Sequence, residues 1–382
     1  MLDWQEELIA ATREATRGVT ARLDRNYYLQ LVRDDAVPGP ELWSLLGEQG
    51  LLGLGVPEEY GGSGGGTTAP VAFMEAMAEA GTPPQLYVSL GFVRQAILLH
   101  GTPEQRARWV PPTVTGEIRY AFALTEPGAG SNSFNLTTTA RATDHGTYLI
   151  SGQKTFISSA DEAEEIMVVA RSEGDPRDVG LYMVPMPNDG VTLQRLTMGL
   201  NIPQRHFTVF FDNVEVPVDA RIGSGGSRAS ELFSALNPER LIVAGMTIGL
   251  GTRAVRLGVE YAQVRAPFGT PIGGYQSVQH PLTDARIHLD AARLVTYDAC
   301  ARHDVQGADI GVQATSAKYL ASLAADAAID AALQVHGGSA FEADTDIAAL
   351  WPIIRLQRIA PVSSEVTLNY LSQAMLGLPR SY

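Results

Sequence analysis

The run Leu124-Thr125-Glu126-Pro127-Gly128-Ala129-Gly130-Ser131 has the composition of a loop made for close approach to a ligand. Small residues after the proline let the backbone come near a flat ring or a phosphate without side chains intervening. Thr125 and Ser131 add hydroxyls, which both donate and accept and so can read the polar edge of a ring or a phosphate oxygen. An ordinary surface turn also uses Pro and Gly, so the loop alone leaves both readings open. Farther along, Arg265 offers a permanently charged fork suited to a pyrophosphate, although taken alone Arg265 and Phe268 also fit a surface residue and a core anchor. The cluster Glu59-Tyr60-Gly61-Gly62-Ser63-Gly64-Gly65-Gly66 has no preceding strand, no dinucleotide fingerprint and no P-loop spacing, and reads as a flexible loop.

Three kinds of sequence texture must position these residues. Residues 1–118 read as helices separated by turns; Leu42, Leu45 and Leu46 share one face of a helix over Glu41–Gln49 that stops at Gly50. Residues 119–222 change to short β-branched and aromatic runs, with strands expected at Ile166–Ala170, Gly180–Pro185 and Phe207–Phe211 and a turn at Asp144-His145-Gly146. After a Gly223–Ser227 linker, residues 223–382 return to helical spacing. Leu241, Ala244, Ile248, Val255, Val259 and Ala262 form one stripe, Val278, Leu282, Ala285, Leu289 and Ala292 a second, and Ala314, Ala317, Leu320, Ala324 and Ala331 a third. The pattern predicts an α+β multidomain chain: a helical N-terminal domain, a central β-domain, and a C-terminal four-helix bundle of long antiparallel helices.

Composition narrows the function classes. The 382 residues are 45% apolar and 18% charged, which describes a globular protein of more than one packed unit. A formal charge of −14 opposes nucleic-acid binding, since no basic stripe exists to displace counterions. The single cysteine, Cys300, excludes an internal disulfide and fits a small buried hydrophobe in a reducing compartment. The N-terminus lacks a signal-peptide pattern and nowhere do about 18 apolar residues run together, so a cytoplasmic protein without a membrane partner or a metal site is expected.

Six motifs in order along the chain resemble the acyl-CoA dehydrogenase family. They are Leu51–Gly62, Ala121–Ser131, Lys154–Ser158, Phe211–Pro217, Arg265–Gly269 and Gln334–Gly338. The resemblance implies an FAD cofactor held between the β-domain and the bundle of a homo-oligomer, a tetramer or a dimer. Thr125 and Leu124 would meet the flavin pyrimidine edge, with Phe122 and Gly130 nearby, and Ser131 the pyrophosphate. Phe156, Ile157 and Ser158 would lie at the face and N5 region of the ring. Arg265, Phe268, Gln276, Gln334, Gly337 and Gly338 would hold the pyrophosphate and adenosine, mostly across a subunit boundary; Ser363 and Glu365 are further cofactor candidates. Two positions depart from the family: Asn132 stands where Asp is usual, and Phe156 where Trp is frequent, which removes an indole N–H.

The family's reaction removes a proton alpha to a thioester while a hydride leaves the beta carbon for flavin N5, and it needs a carboxylate base in a dry slot. The stretch Ile359–Val366 matches the family's usual base segment, with Pro361 where the glutamate stands. Proline takes no proton and has no N–H for an oxyanion, and Ala360 beside it leaves extra room. Other members carry the base before an arginine on a bundle helix, and Asn237-Pro238-Glu239-Arg240-Leu241 resembles that stretch. Glu239 is thus the candidate base, with Arg240, Ala360 and Pro361 lining the substrate site and Glu365 as fallback carboxylate. The alternative for Glu239 is structural: Asn237 as helix cap, Pro238 at the first helical position, and an acid complementing the dipole. The expected substrate is an acyl thioester on CoA or an acyl carrier protein, with an electron-transfer flavoprotein as acceptor. A flavin-dependent monooxygenase on the same scaffold and a non-catalytic flavoprotein or assembly subunit are the competing functions.

Overall fold

A computed structural model describes residues 2–133, 135–200, 202–223, 229–307, 309–342 and 345–381. The chain opens with helices α1 (Asp3–Thr20), α2 (Arg25–Arg33), α3 (Pro40–Glu48), α4 (Thr68–Ala80), α5 (Leu86–His100), α6 (Pro103–Trp109) and α7 (Pro111–Val114). In α3, Pro40 begins the helix and Leu42, Leu45 and Leu46 are buried on its inner face. The start of α6 is closed by a reciprocal Thr102/Gln105 capping box.

The glycine cluster at 61–66 corrects the expectation of a flexible loop. The amides of Ser63 and Gly64 donate to the carbonyls of Gly53 and Val56, and the Gly64 carbonyl accepts from Gly55. A side chain at Gly66, whose φ is +54°, would run into the Asp304 carboxylate. That carboxylate accepts from the amides and hydroxyls of Thr67 and Thr68, tying the start of α4 to the end of a distant helix. Glycine is used here for close packing rather than for mobility.

The central sheet consists of β1 (Tyr120–Ala123), β2 (Thr139–Ala142), β3 (Thr147–Ser158), β4 (Glu165–Ser172), β5 (Asp175–Pro185), β6 (Val191–Leu196) and β7 (His206–Pro217). Its order is β1-β4-β2-β3-β7-β6, with β5 also on β4. β1 runs parallel to β4, whereas β3 pairs antiparallel to β7 along most of their length. The Asp144-His145-Gly146 turn joins β2 to β3. Ile150, Ile166, Val168, Val209 and Phe211 are buried in one cluster under this sheet.

Three long helices follow: α8 (Ala229–Val264), α9 (Gln276–Gln306) and α10 (Gly311–His336), with α11 (Asp346–Leu356) and α12 (Ser364–Leu376) packed on α10. The expected linker at 223–227 lies, apart from Gly223, outside the described residues. Small residues let α8 meet its neighbours closely: a side chain at Gly251 would touch Leu289 and Ala325. Two stripe positions differ from expectation. Val259 and Leu320 face outward, because Gly258 and Ala321 take the buried places one residue away. The stretch Ala235–Val264 is apolar enough by composition to cross a membrane, yet 83% of its window is buried against protein, so its apolarity serves the core. Among the described residues the molecule is α+β: a helical N-terminal region, a central β-domain and a C-terminal helical bundle.

Candidate active site

The loop at 124–131 leaves β1 and is anchored from beneath by a charge pair. Glu126 is 3% exposed, and its carboxylate accepts from the Thr137 amide and hydroxyl, the Thr138 amide and Lys154 Nζ at 2.9 Å. Lys154, also fully buried, donates a second bond to the Leu124 carbonyl. Burial opposes the Glu126 charge, but the bonds from Thr137, Thr138 and Lys154 together outweigh it and hold the carboxyl at about 2. The Thr155 amide donates to the Thr125 carbonyl, so β3 and the loop are one unit. Above this base, the positions of side chains at Gly128 and Gly130 meet nothing within 4 Å, which leaves the loop's outer side open to a ligand.

β3 presents the next residues through a bulge. Between Lys154 and Ile157 it advances three residues while β7 advances two, from Val209 to Phe207. The extra residue turns Phe156 outward at φ 58°, with the residue 59% exposed. Ser159, at φ 54°, closes the segment on its other side. Non-glycine residues in this region cost about 1–3 kcal/mol each and persist where surroundings force them, often beside ligands. Ile157 is buried in the β-domain core and offers only its backbone to the outer face, while Ser158 is half-buried and its Oγ lies 3.1 Å from His206 Nδ1. Phe122 sits in the wall below, its ring 4.0 Å from that of Phe92 on α5.

A second group gathers at one end of the bundle. The loop after α8 carries Arg265 and Phe268, α9 begins at Gln276, and the end of α10 carries Gln334, with Gly337 and Gly338 just beyond it. Tyr261 of α8 stacks on His336 of α10 at 4.4 Å and lies 3.3 Å from the Ser339 hydroxyl, which locks these ends together. Phe268 is 84% exposed, and Arg265, Gln276, Gln334, Gly337 and Gly338 are also on the surface. No hydrogen bond or ion pair among the described residues joins this group to the 124–131 loop.

Glu239 lies deeper, on α8. The structural alternative for it is corrected: α8 continues through Asn237 and Pro238, so Pro238 is inside the helix and Asn237 is not its cap. The Asn237 side chain instead accepts from Arg240 Nη1 at 2.7 Å. Glu239 is 7% exposed and its Oε2 is buried without a hydrogen-bond partner among the described residues. Burial, against the pull of Arg240 and Lys318, pushes its carboxyl up to about 7. Lys318 on α10, 3% exposed, donates to the Val362 carbonyl at 2.6 Å. Ala360, half-buried, and Pro361, exposed, therefore belong to a turn that Lys318 pins beside Glu239. Ser363 caps α12 by accepting from the Val366 amide, and Glu365 is an exposed residue of its first turn.

Three functional or supporting residues were missed in the sequence. Lys318 had a signal, as a charge among Ala314, Ala317 and Ala321 on a buried helix face. Lys154 had one as well, sharing the inward side of β3 with Ile150. His206, at the very start of β7, had none.

Comparisons with known proteins show the family. Family models described as acyl-CoA dehydrogenase N-terminal, middle and C-terminal domains match residues 5–117, 121–214 and 230–376. Acyl-CoA dehydrogenase FadE12 of Mycobacterium tuberculosis is 40% identical over 379 residues, covering 97% of each chain. The caffeyl-CoA reductase-Etf complex subunit CarC of Acetobacterium woodii is 30% identical, with 88% of this chain and 89% of that one covered. The structure of butyryl-CoA dehydrogenase from Megasphaera elsdenii superposes with a TM-score of 0.89 at 25% identity, covering 98% and 99% of the two chains. The chain belongs to the acyl-CoA dehydrogenase family of flavoprotein oxidoreductases, whose cofactor is FAD.

Proposed function

We propose that this chain dehydrogenates an acyl thioester, with Glu239 taking the proton from the carbon alpha to the carbonyl. The observation that carries this reading is the orphaned, buried Oε2 of Glu239 on a carboxyl poised at about 7. A carboxylate stripped of water and of donors is a strong base held where solvent does not compete. Arg240 and Lys318 set two cations beside it, which would favour the negative charge that develops as the proton leaves.

FAD, when bound, supplies the hydride acceptor. The open backbone at Gly130 and the outward ring of Phe156 fit such a flat ligand. Leu124 and Thr125 would meet its pyrimidine edge, Ser131 its pyrophosphate, and the 156–158 segment its ring. Arg265, Phe268 and Gln276, with Gln334, Gly337 and Gly338, are exposed and unengaged by the 124–131 loop, which suits binding across a boundary with a second copy of the chain. CoA or an acyl carrier protein bears the acyl group, and an electron-transfer flavoprotein is the proposed electron acceptor, by likeness to a relative named for an Etf complex.

The test is anaerobic titration of the flavin-loaded protein with acyl-CoA thioesters of graded length. Bleaching of the flavin band in the wild type, and its loss in Glu239→Gln with flavin still bound, supports the reading. Unchanged bleaching in Glu239→Gln overturns the base. No reduction by any thioester, but oxygen consumption and a hydroxylated product when reduced flavin is supplied, would establish the monooxygenase instead.

A further inference from the structure

Ser158 and His206 are direct cross-strand partners in the β3–β7 ladder, and β6 flanks His206 from the other side through Leu196. Oγ and Nδ1 are 3.1 Å apart, so one of them donates to the other. His206 is 7% exposed, and burial, with no neighbouring charge contributing, lowers its pKa. Its ring is therefore neutral near pH 7 and carries a single N–H.

The second ring nitrogen decides where that hydrogen sits. Nε2 is buried with no partner among the described residues. An orphaned buried N–H is less tolerated than an orphaned lone pair, so the hydrogen-bond network assigns the proton to Nδ1. Nδ1–H then donates to Ser158 Oγ and occupies one of its lone pairs. The hydroxyl's own hydrogen must point away from His206, to the half-open side on which Phe156 stands. The positive φ angles of Phe156 and Ser159 bracket this segment.

We infer that His206 is a positioning residue: it holds the Ser158 hydroxyl as an outward donor, aimed at the edge of the flavin ring that receives the hydride. The inference rests on the proposed placement of the flavin against residues 156–158. A serine without His206 is free to turn its hydrogen inward, so the strands would survive while the cofactor edge loses its donor.

The experiment is a double-variant cycle of His206→Leu and Ser158→Ala on the flavin-loaded protein, with His206→Asn, whose amide N–H replaces Nδ1–H. The readouts are the midpoint potential and visible spectrum of the bound flavin, obtained by photoreduction, and the rate of reduction by an acyl thioester. His206→Leu is expected to shift potential and spectrum and to slow reduction about fivefold, the weight of one neutral hydrogen bond. His206→Asn should restore most of this, and His206→Leu should add nothing once Ser158 is alanine. An equal effect with and without the Ser158 hydroxyl, or no effect on potential and spectrum, overturns the inference. His206→Met serves in the same cycle if the leucine variant does not fold. If no thioester reduces the wild type, the proposed reaction fails, while the photoreduction readouts still decide the role of His206.

Discussion

Two carboxylates in this molecule are almost equally hidden, yet they behave in opposite ways. Glu126, in the β-domain, is 3% exposed and held at about 2; Glu239, in the bundle, is 7% exposed and pushed to about 7. Each has a buried lysine in its neighbourhood, Lys154 and Lys318 respectively. Lys154 and the two threonines fill the acceptor sites of Glu126, whereas Lys318 donates to the Val362 carbonyl and no donor among the described residues reaches Glu239 Oε2. Burial alone does not set the chemistry of a carboxylate. A completed hydrogen-bond shell makes it scaffold, and a missing one leaves it reactive.

The contrast breaks most visibly at Glu239. In Glu239→Gln, anaerobic reduction by the preferred thioester should fall by about two to four orders of magnitude, the range for a general base, with flavin content unchanged. Lys154→Met should act on the other member, costing about 3 kcal/mol of stability in denaturant titration because Glu126 is left buried and unpaired. A loss confined to activity, with stability intact, would contradict the scaffold role of that pair.

Finer tests separate the two by pH. Flavin reduction should rise as pH passes through about 7, as Glu239 loses its proton. Lys318→Met removes a cation that favours the carboxylate, so this rise should move upward, on the order of one pH unit. A downward move would show that Lys318 acts otherwise. Glu126 has the opposite sign: its folded value lies below the ordinary 4.5, so its stabilising contribution is present above 4.5 and is lost as pH falls from there toward about 2. Acid titration of Lys154→Met should show less of this loss than the wild type.

The smallest expected effect is at Gly130. A side chain there meets no protein atom, so Gly130→Val should leave the melting temperature of the flavin-free protein unchanged and weaken FAD binding about tenfold. Equal affinity for the two proteins would mean that the loop's open side is not where the ligand lies.

Much of this architecture was legible in the residues. Leucines at helical spacing marked α3, short β-branched and aromatic runs marked β4, β5 and β7, and alanine-rich stripes marked the bundle. The illegible parts depend on partners far along the chain. The glycine cluster read as flexible because its constraint, Asp304, lies more than two hundred residues away. Asn237 and Pro238 read as a helix start because local propensity is satisfied equally well by a proline inside α8, where packing against α4 and α10 keeps the helix continuous.

The sequence by itself determined the family, the cofactor and which residue types were available, since these follow from local composition and from the order of motifs. It carried Glu126 and Lys154 in two separate motifs without showing that they pair, and it offered Glu239 as one of two carboxylates. Only the tertiary structure decided which of them is satisfied and which is not. A hydrogen-bond shell is made by groups that meet in space: Lys318 comes from a different helix than Glu239, Val362 from the loop before α12, and His206 from a different strand than Ser158.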